Sequence, residues 1–214
     1  MEPVVIGNAS LYRGDAREVL QGLQADVVIT DPVWPNCPKD LLPGADDPYG
    51  LFLSLCSLLP EVKRMVVVLR HDSDPRFLLP VPLPYTRAVW LPYVMPGYIG
   101  RMLGGDEIAY CFGEPIPSRP GQRVIPGRAD PEQPAGRKAN GHPCSRALGH
   151  FRWLTRWWSE EGETILDPLM GSGTTGVAAV TGNRKFIGVE IDPTYFDIAC
   201  GRLEQAMKQQ RLFA

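Results

Sequence analysis

Two stretches of this chain carry side chains that could do chemistry together. The first is Asp26-Val27-Val28-Ile29-Thr30-Asp31-Pro32-Val33-Trp34-Pro35. A valine-rich run ends at Asp31, and Pro32, which has no backbone N–H, stops it. Trp34 is expected to project from a loop stiffened by Pro32 and Pro35. Such a loop suits an amino group on an aromatic ring, whose delocalised lone pair makes it a poor nucleophile. The Asp31 carboxylate and the Pro32 carbonyl can accept its two hydrogens. An indole can hold a base that has left its stack, and base–aromatic stacking contributes ~1–3 kcal/mol. Taken alone, the same residues serve equally well as a capped turn over a core tryptophan.

The second stretch is Thr164-Ile165-Leu166-Asp167-Pro168-Leu169-Met170-Gly171-Ser172-Gly173-Thr174-Thr175-Gly176. A strand ends in an acid, glycines make a tight turn, and a helix follows. The carboxyl end of a parallel strand is where α/β sheets bind ligands. About twenty residues on, Phe186-Ile187-Gly188-Val189-Glu190-Ile191 places Glu190 near the end of another strand. A carboxylate there can receive both ribose hydroxyls. The Gly-Lys-Ser/Thr of a P-loop is absent. Asp167 ahead of the glycines favours a cationic, amino-acid-bearing ligand over a pyrophosphate.

The elements that must hold these loops alternate. Strands are predicted at 26–30, 65–70, 88–94, 107–113, 164–167 and 185–191, mostly apolar throughout, as strands covered on both faces are. Helices are predicted at 15–23, 47–59, 145–159, 174–181 and 194–210. Leu148, Phe151, Leu154 and Trp158 share one face of the third. Alternation of this kind predicts an α/β sheet. The chain of 214 residues fits one domain, 1–214.

Residues 114–141 interrupt the pattern with an aperiodic stretch rich in proline and glycine. From Glu114 to Trp158 there are eight basic residues against three acids, while the rest of the chain is net −7. A basic patch on an acidic body points to a polyanion, or to a merely solvated loop. Five scattered cysteines and no C-x-x-C pair argue against a disulfide framework or a zinc site. No secretory leader and no bilayer-spanning run are visible, so a cytoplasmic setting is expected.

Together the two motifs resemble the amino-methyltransferases of DNA. Their catalytic motif is (Asp/Asn/Ser)-Pro-Pro-(Tyr/Phe/Trp), and their cofactor motif resembles Asp-Pro-Phe-x-Gly-Ser-Gly-Thr-Thr. Here the catalytic motif precedes the cofactor motif, which is the circularly permuted β class. Leu11-Tyr12-Arg13-Gly14-Asp15 resembles the family's opening strand and turn. His142-Pro143-Cys144-Ser145-Arg146 resembles its His-Pro-x-x-Lys element, and 182–190 its Gly-Arg-x-x-Ile-Gly-x-Glu strand. Two departures stand out: Val33 replaces a proline and Arg146 a lysine, which keeps the charge with different geometry.

The resemblance implies a Rossmann-like methyltransferase fold, with a mostly parallel sheet of about seven strands, helices on both faces and permuted order. It implies S-adenosylmethionine as cofactor, held by Asp31, His142, Ser145, Asp167, Pro168, Met170, Gly171, Ser172, Gly173, Thr174, Thr175, Glu190 and Ile191. Asp31, Pro32 and Trp34 would be catalytic, and no metal is implied. The partner would be DNA, with 114–141 as a recognition segment using Arg119, Arg123, Arg128, Arg137 and Lys138, disordered until DNA binds. Asp31 in the first motif position favours adenine N6; cytosine N4 enzymes more often carry serine there. Three alternatives stay open: cytosine N4, another amine acceptor such as RNA, and an inactive methyltransferase-like subunit, which Val33 keeps in view. Trp153 and Trp157, beside Arg152 and Arg156, would form either a homodimer face or core packing.

Overall fold

The computed structural model describes residues 2–95, 98–99, 102–103, 105–116, 121, 126–133 and 143–213. Ten strands and five α-helices lie among them: β1 Val4–Ile6, β2 Ala9–Arg13, α1 Ala16–Val19, β3 Val27–Thr30, α2 Pro48–Leu58, β4 Arg64–Arg70, β5 Tyr85–Leu91, β6 Tyr98–Ile99, β7 Met102–Leu103, β8 Glu107–Gly113, α3 Leu148–Trp158, β9 Thr164–Asp167, α4 Thr174–Thr181, β10 Lys185–Glu190 and α5 Pro193–Phe213.

Eight strands form one sheet in the order β1-β2-β10-β9-β3-β4-β8-β5, and β6 pairs with β7 alone. The five central strands, β2, β10, β9, β3 and β4, are mutually parallel. β1 and β8 run against them. The sheet thus has one strand more than expected. β1 escapes a reading by apolar runs because Val4 and Val5 face solvent.

The central strands read as unbroken apolar runs because both faces are covered. On one face Val66, Val68, Ile165 and Val27 pack under α3, α4 and α5. On the other Val28, Met65, Val67 and Leu166 pack with α1 and α2. The stripe foreseen on α3 is real: Phe151, Leu154 and Trp158 are fully buried, each contributing ~1.5–3 kcal/mol of apolar burial. Trp157 lies inside as well, and half-buried Trp153 packs against the same core. Core packing therefore accounts for Trp157 and for the buried part of Trp153. The helix expected at 15–23 spans only Ala16–Val19; Gly22, with φ of 83°, turns the chain soon after.

Residues 127–132 of the basic insertion pair with the sheet edge. They run alongside β5 and its extension: Trp90 donates to the Gly127 carbonyl (3.0 Å), Ala129 to the Trp90 carbonyl (2.9 Å) and Val94 to the Glu132 carbonyl (2.9 Å). This covers a sheet edge that would otherwise present unpaired backbone groups. For this stretch the expectation of disorder is corrected by backbone pairing that no side-chain pattern announces.

Candidate active site

The topology opens a crevice at one place. From β9 the chain crosses through α4 to β10, and from β3 through α2 to β4. Adjacent β3 and β9 therefore send their connections in opposite directions, the arrangement at which open α/β sheets bind ligands. Asp31 follows β3, Asp167 ends β9 and Glu190 ends β10. Asp31, Pro32, Trp34, Ser145, Asp167, Pro168, Met170, Gly171, Ser172, Thr174, Thr175, Glu190 and Ile191 all line one cleft there. His142, Arg119, Arg123, Arg137 and Lys138 lie outside the described residues. The cleft also takes walls beyond the expected site residues: Gly14–Arg17, the Leu42–Gly44 turn, Leu51, Cys144, Arg146 and Tyr195.

The glycine loop is pinned from three sides. Glu190 accepts the Gly171 N–H (2.9 Å) and the Asp192 N–H (2.7 Å), tying the end of β10 to the loop after β9. Burial pushes its carboxyl up, and these N–H bonds pull the other way. From α5, Arg202 Nη1 donates to the Ser172 carbonyl (2.5 Å), Ser172 Oγ (3.0 Å) and Thr174 Oγ1 (3.2 Å). Ser145 Oγ lies 3.3 Å from Ser172 Oγ, which joins the approach to α3 to the loop.

Two expected cofactor residues hold the loop rather than face the cleft openly. Gly173 does not line it. Its φ is 78°, and an added Cβ would lie 2.9 Å from Ala199 Cβ, so glycine is required for packing against α5. Asp167, expected to present its charge to a cation, is only 2 % exposed. It accepts bonds from Thr175 Oγ1 (2.6 Å), Thr30 Oγ1 (2.8 Å) and the Leu169 N–H (3.2 Å). Burial still raises its pKa to about 7. The carboxyl is thereby a buried knot between β3, β9 and α4.

Asp31 is not a free carboxylate. Arg146 donates Nη2 to Oδ1 (2.9 Å) and Nε to Oδ2 (2.5 Å), and its Nη1 reaches Glu107 Oε1 (2.5 Å) at the start of β8. The guanidinium also lies 5.4 Å from the Trp34 ring centroid, with Arg70 at 5.8 Å, an attraction of cation and π face. Trp34 does not project as expected. It is 4 % exposed, packed with Val33 and Cys37 in the α2-side core, so the stacking platform is a wall of the cleft instead. Glu107 is 2 % exposed and burial pushes its pKa up, with Arg146 opposing. A family lysine position hinted at Arg146. Glu107, 39 residues away in sequence, carried no signal.

Arg128 is exposed at the edge of β5, bridged to Trp90. It is the one member of the expected DNA-contacting set among the described residues. Among those residues no group of three metal-ligating side chains occurs, and no helix is long and apolar enough to cross a membrane.

An open, mostly parallel sheet with a glycine loop and acid-tipped strands at its switch point defines the Rossmann-like methyltransferase class of folds. Solved structures agree: M1.HpyAVI in its SAM complex superposes with a TM-score of 0.70 at 22 % identity, covering 91 % of this chain and 98 % of that one. The family model N6_N4_Mtase, DNA methylase, matches residues 81–200. The chain belongs to this family of amino-DNA methyltransferases. Among relatives, the orphan methyltransferase M.BamHII of Bacillus amyloliquefaciens is 55 % identical over 47 residues, 22 % of this chain and 18 % of its own length. The DNA adenine methyltransferase YhdJ of Escherichia coli (strain K12) is 37 % identical over 65 residues, 30 % of this chain and 22 % of its own. The matched stretches thus span about a fifth of these curated relatives.

Proposed function

We propose that this chain transfers a methyl group from S-adenosylmethionine to the N6 amino group of adenine in DNA. One observation carries the reading: Asp31 and the Gly171–Glu190 arrangement, far apart in sequence, share one cleft at the switch point of the sheet. The donor set fits the cofactor. Asp15, Asp31 and Glu190 bring carboxylates to the cleft, suited to a sulfonium and an ammonium group, with Asp15 paired to Arg17 and Asp31 to Arg146. Glu190 is the residue to hold the ribose hydroxyls. Gly171, Ser172, Ser145, Met170, Pro168 and Ile191 would enclose the rest, with Thr174 and Thr175 of the first turn of α4 beneath. The reading is supported in kind by M1.HpyAVI, crystallised with SAM, and by YhdJ, a DNA adenine methyltransferase, while the cytosine-N4-specific PvuII methyltransferase shares the fold.

When bound, the cofactor supplies a methyl carbon on positive sulfur, and transfer replaces one S–C bond by one N–C bond and frees one proton. Asp31 accepts one hydrogen of the amino group and the Pro32 carbonyl the other, which turns the nitrogen lone pair out of the ring. Placement and charge supply most of the acceleration. Asp31 needs little basicity, because the nitrogen becomes acidic as its new bond forms; the carboxylate relays that proton to water.

Asp31→Ala should abolish transfer of labelled methyl groups to duplex DNA and leave cofactor binding measurable by calorimetry. Arg146 keeps its ion pair with Glu107 in that variant, and a cooperative thermal transition is expected. Full turnover by Asp31→Ala would sink the assignment. Nucleoside analysis of the product should give N6-methyladenine, and N4-methylcytosine alone would reverse the choice of base. The expected DNA contacts of Arg119, Arg123, Arg128, Arg137 and Lys138 form part of this proposal. Their replacement should weaken DNA binding and flatten its salt dependence.

A further inference from the structure

We propose that Arg146 is an internal placeholder for the target base: its guanidinium occupies Asp31 and Trp34 in the resting protein and shifts onto Glu107 when the amino group arrives. The inference rests on the reading of Asp31 as the receiver of that amino group.

The geometry sets the two occupants in competition. Arg146 is planar, as a base is, and delivers N–H groups to both oxygens of Asp31, at 2.9 and 2.5 Å. The same guanidinium sits 5.4 Å from the Trp34 centroid. These are the contacts that the amino group and ring of a base would require. A carboxylate gripped by a two-pronged donor has its best acceptor directions filled. The base therefore has to compete with Arg146 or displace it.

A second seat is already built. The third nitrogen, Nη1, is on Glu107 Oε1. The other oxygen, Oε2, is buried with no well-formed hydrogen bond among the described residues, and the Tyr93 hydroxyl lies beside this carboxylate. A buried carboxylate oxygen so weakly partnered is costly, so a small rotation that puts two guanidinium nitrogens on Glu107 offsets part of what is lost at Asp31. The two carboxylates sit on the sheet framework, Glu107 within β8 and Asp31 directly after β3. Arg146 hangs from the non-helical stretch 143–147 ahead of α3. The arginine is thus the member free to turn. Its five-donor fork can satisfy either carboxylate in two points, which an ammonium cannot. Arg146 acts through Asp31 and is a positioning residue; it does not touch the reacting atoms.

The test measures initial rates of labelled methyl transfer to unmethylated plasmid DNA, with S-adenosylmethionine affinity by calorimetry alongside. Glu107→Gln keeps the shape of the seat and removes its charge, leaving Arg146 more firmly on Asp31. The KM for DNA should rise about tenfold, an energy of ~1.4 kcal/mol, and by more than kcat falls, with cofactor affinity held within about twofold. Adding Arg146→Lys, which cannot grip Asp31 in two points, should bring KM back to within about threefold of the wild type. A fall in kcat at constant KM, or a Glu107→Gln protein indistinguishable from wild type, overturns the placeholder and leaves the methyltransferase reading standing. If Glu107→Gln shows no cooperative thermal transition, Arg146→Lys alone decides. Its KM should drop at least about threefold, and a raised KM overturns the proposal. A wild-type protein that binds S-adenosylmethionine yet methylates no DNA overturns the functional reading and the placeholder with it.

Discussion

Replacing Asp167 by asparagine tests the site through its electrostatics. Burial raises this carboxyl from 3.8 to about 7, while bonds from Thr175, Thr30 and the Leu169 N–H oppose the shift without cancelling it. The folded protein therefore holds a proton between about pH 4 and pH 7 that the unfolded chain has released. A native state that binds the extra proton loses stability as pH rises through that window. The full shift of about three units corresponds to ~4 kcal/mol. Between pH 5 and pH 8 the portion sampled is about two units, or ~2–3 kcal/mol. Asparagine stays neutral throughout, keeps an acceptor for one threonine hydroxyl and donates to the other. Urea unfolding of both proteins at pH 5 and pH 8, followed by circular dichroism, isolates the effect as a difference of differences, because the other carboxyls are common to both. The wild type should lose ~2–3 kcal/mol relative to Asp167→Asn over that range, or about 5–10 °C in the spread of their Tm values. Parallel pH profiles for the two proteins would refute the reasoning, since they would mean Asp167 is ionised at pH 5 despite its burial.

Further outcomes follow from the same packing. Gly173→Ala puts a Cβ at positive φ against Ala199 and Leu203, and should cost ~2–3 kcal/mol in urea unfolding through backbone strain and overpacking. Arg202→Ala frees the Ser172 carbonyl and hydroxyl from α5; cofactor affinity by calorimetry should fall about tenfold, which is ~1.4 kcal/mol. Arg64 holds both oxygens of Glu163 at 2.8 Å and donates to the Trp158 carbonyl at the end of the sheet remote from the cleft. Arg64→Ala leaves Glu163 with Lys63 (3.2 Å) as its counter-charge and should cost ~2–3 kcal/mol, with kcat per folded molecule unchanged.

What the chain discloses before folding divides along a physical line. Runs such as Val27–Thr30 and Met65–Arg70 declare buried parallel strands because both faces of each are covered, a local property. The same holds for the Gly171–Thr175 turn, where the required backbone freedom is written in residue type. What stayed hidden is pairwise and distant. Asp167 could not be known as a buried knot without Thr30, 137 residues before it. Trp34 could not be known as a wall without Arg70 and Arg146 against its ring. The docking of 127–132 on β5 uses backbone groups that every residue possesses.

Permutation explains why two such remote loops meet. A sheet orders its strands by hydrogen bonding, and the crevice forms wherever neighbouring strands send their connections apart, whatever their place in the chain. Here those neighbours are β3 and β9, separated by more than half the sequence, and their register pairs Val28 with Leu166. Thr30 then reaches Asp167 across the crevice floor, so the strand bearing Asp31 and the strand bearing the glycine loop are joined by a side-chain bond directly beneath the site. A displacement of either strand that breaks this bond also moves Asp31 relative to Gly171. The precision of the two halves is therefore a property of the β3–β9 contact, and Thr30→Val, which keeps shape and removes the hydroxyl, should lower kcat on DNA more than it lowers the stability of the sheet. A loss of stability with kcat per folded molecule intact would show that the loops are set by their own turns instead.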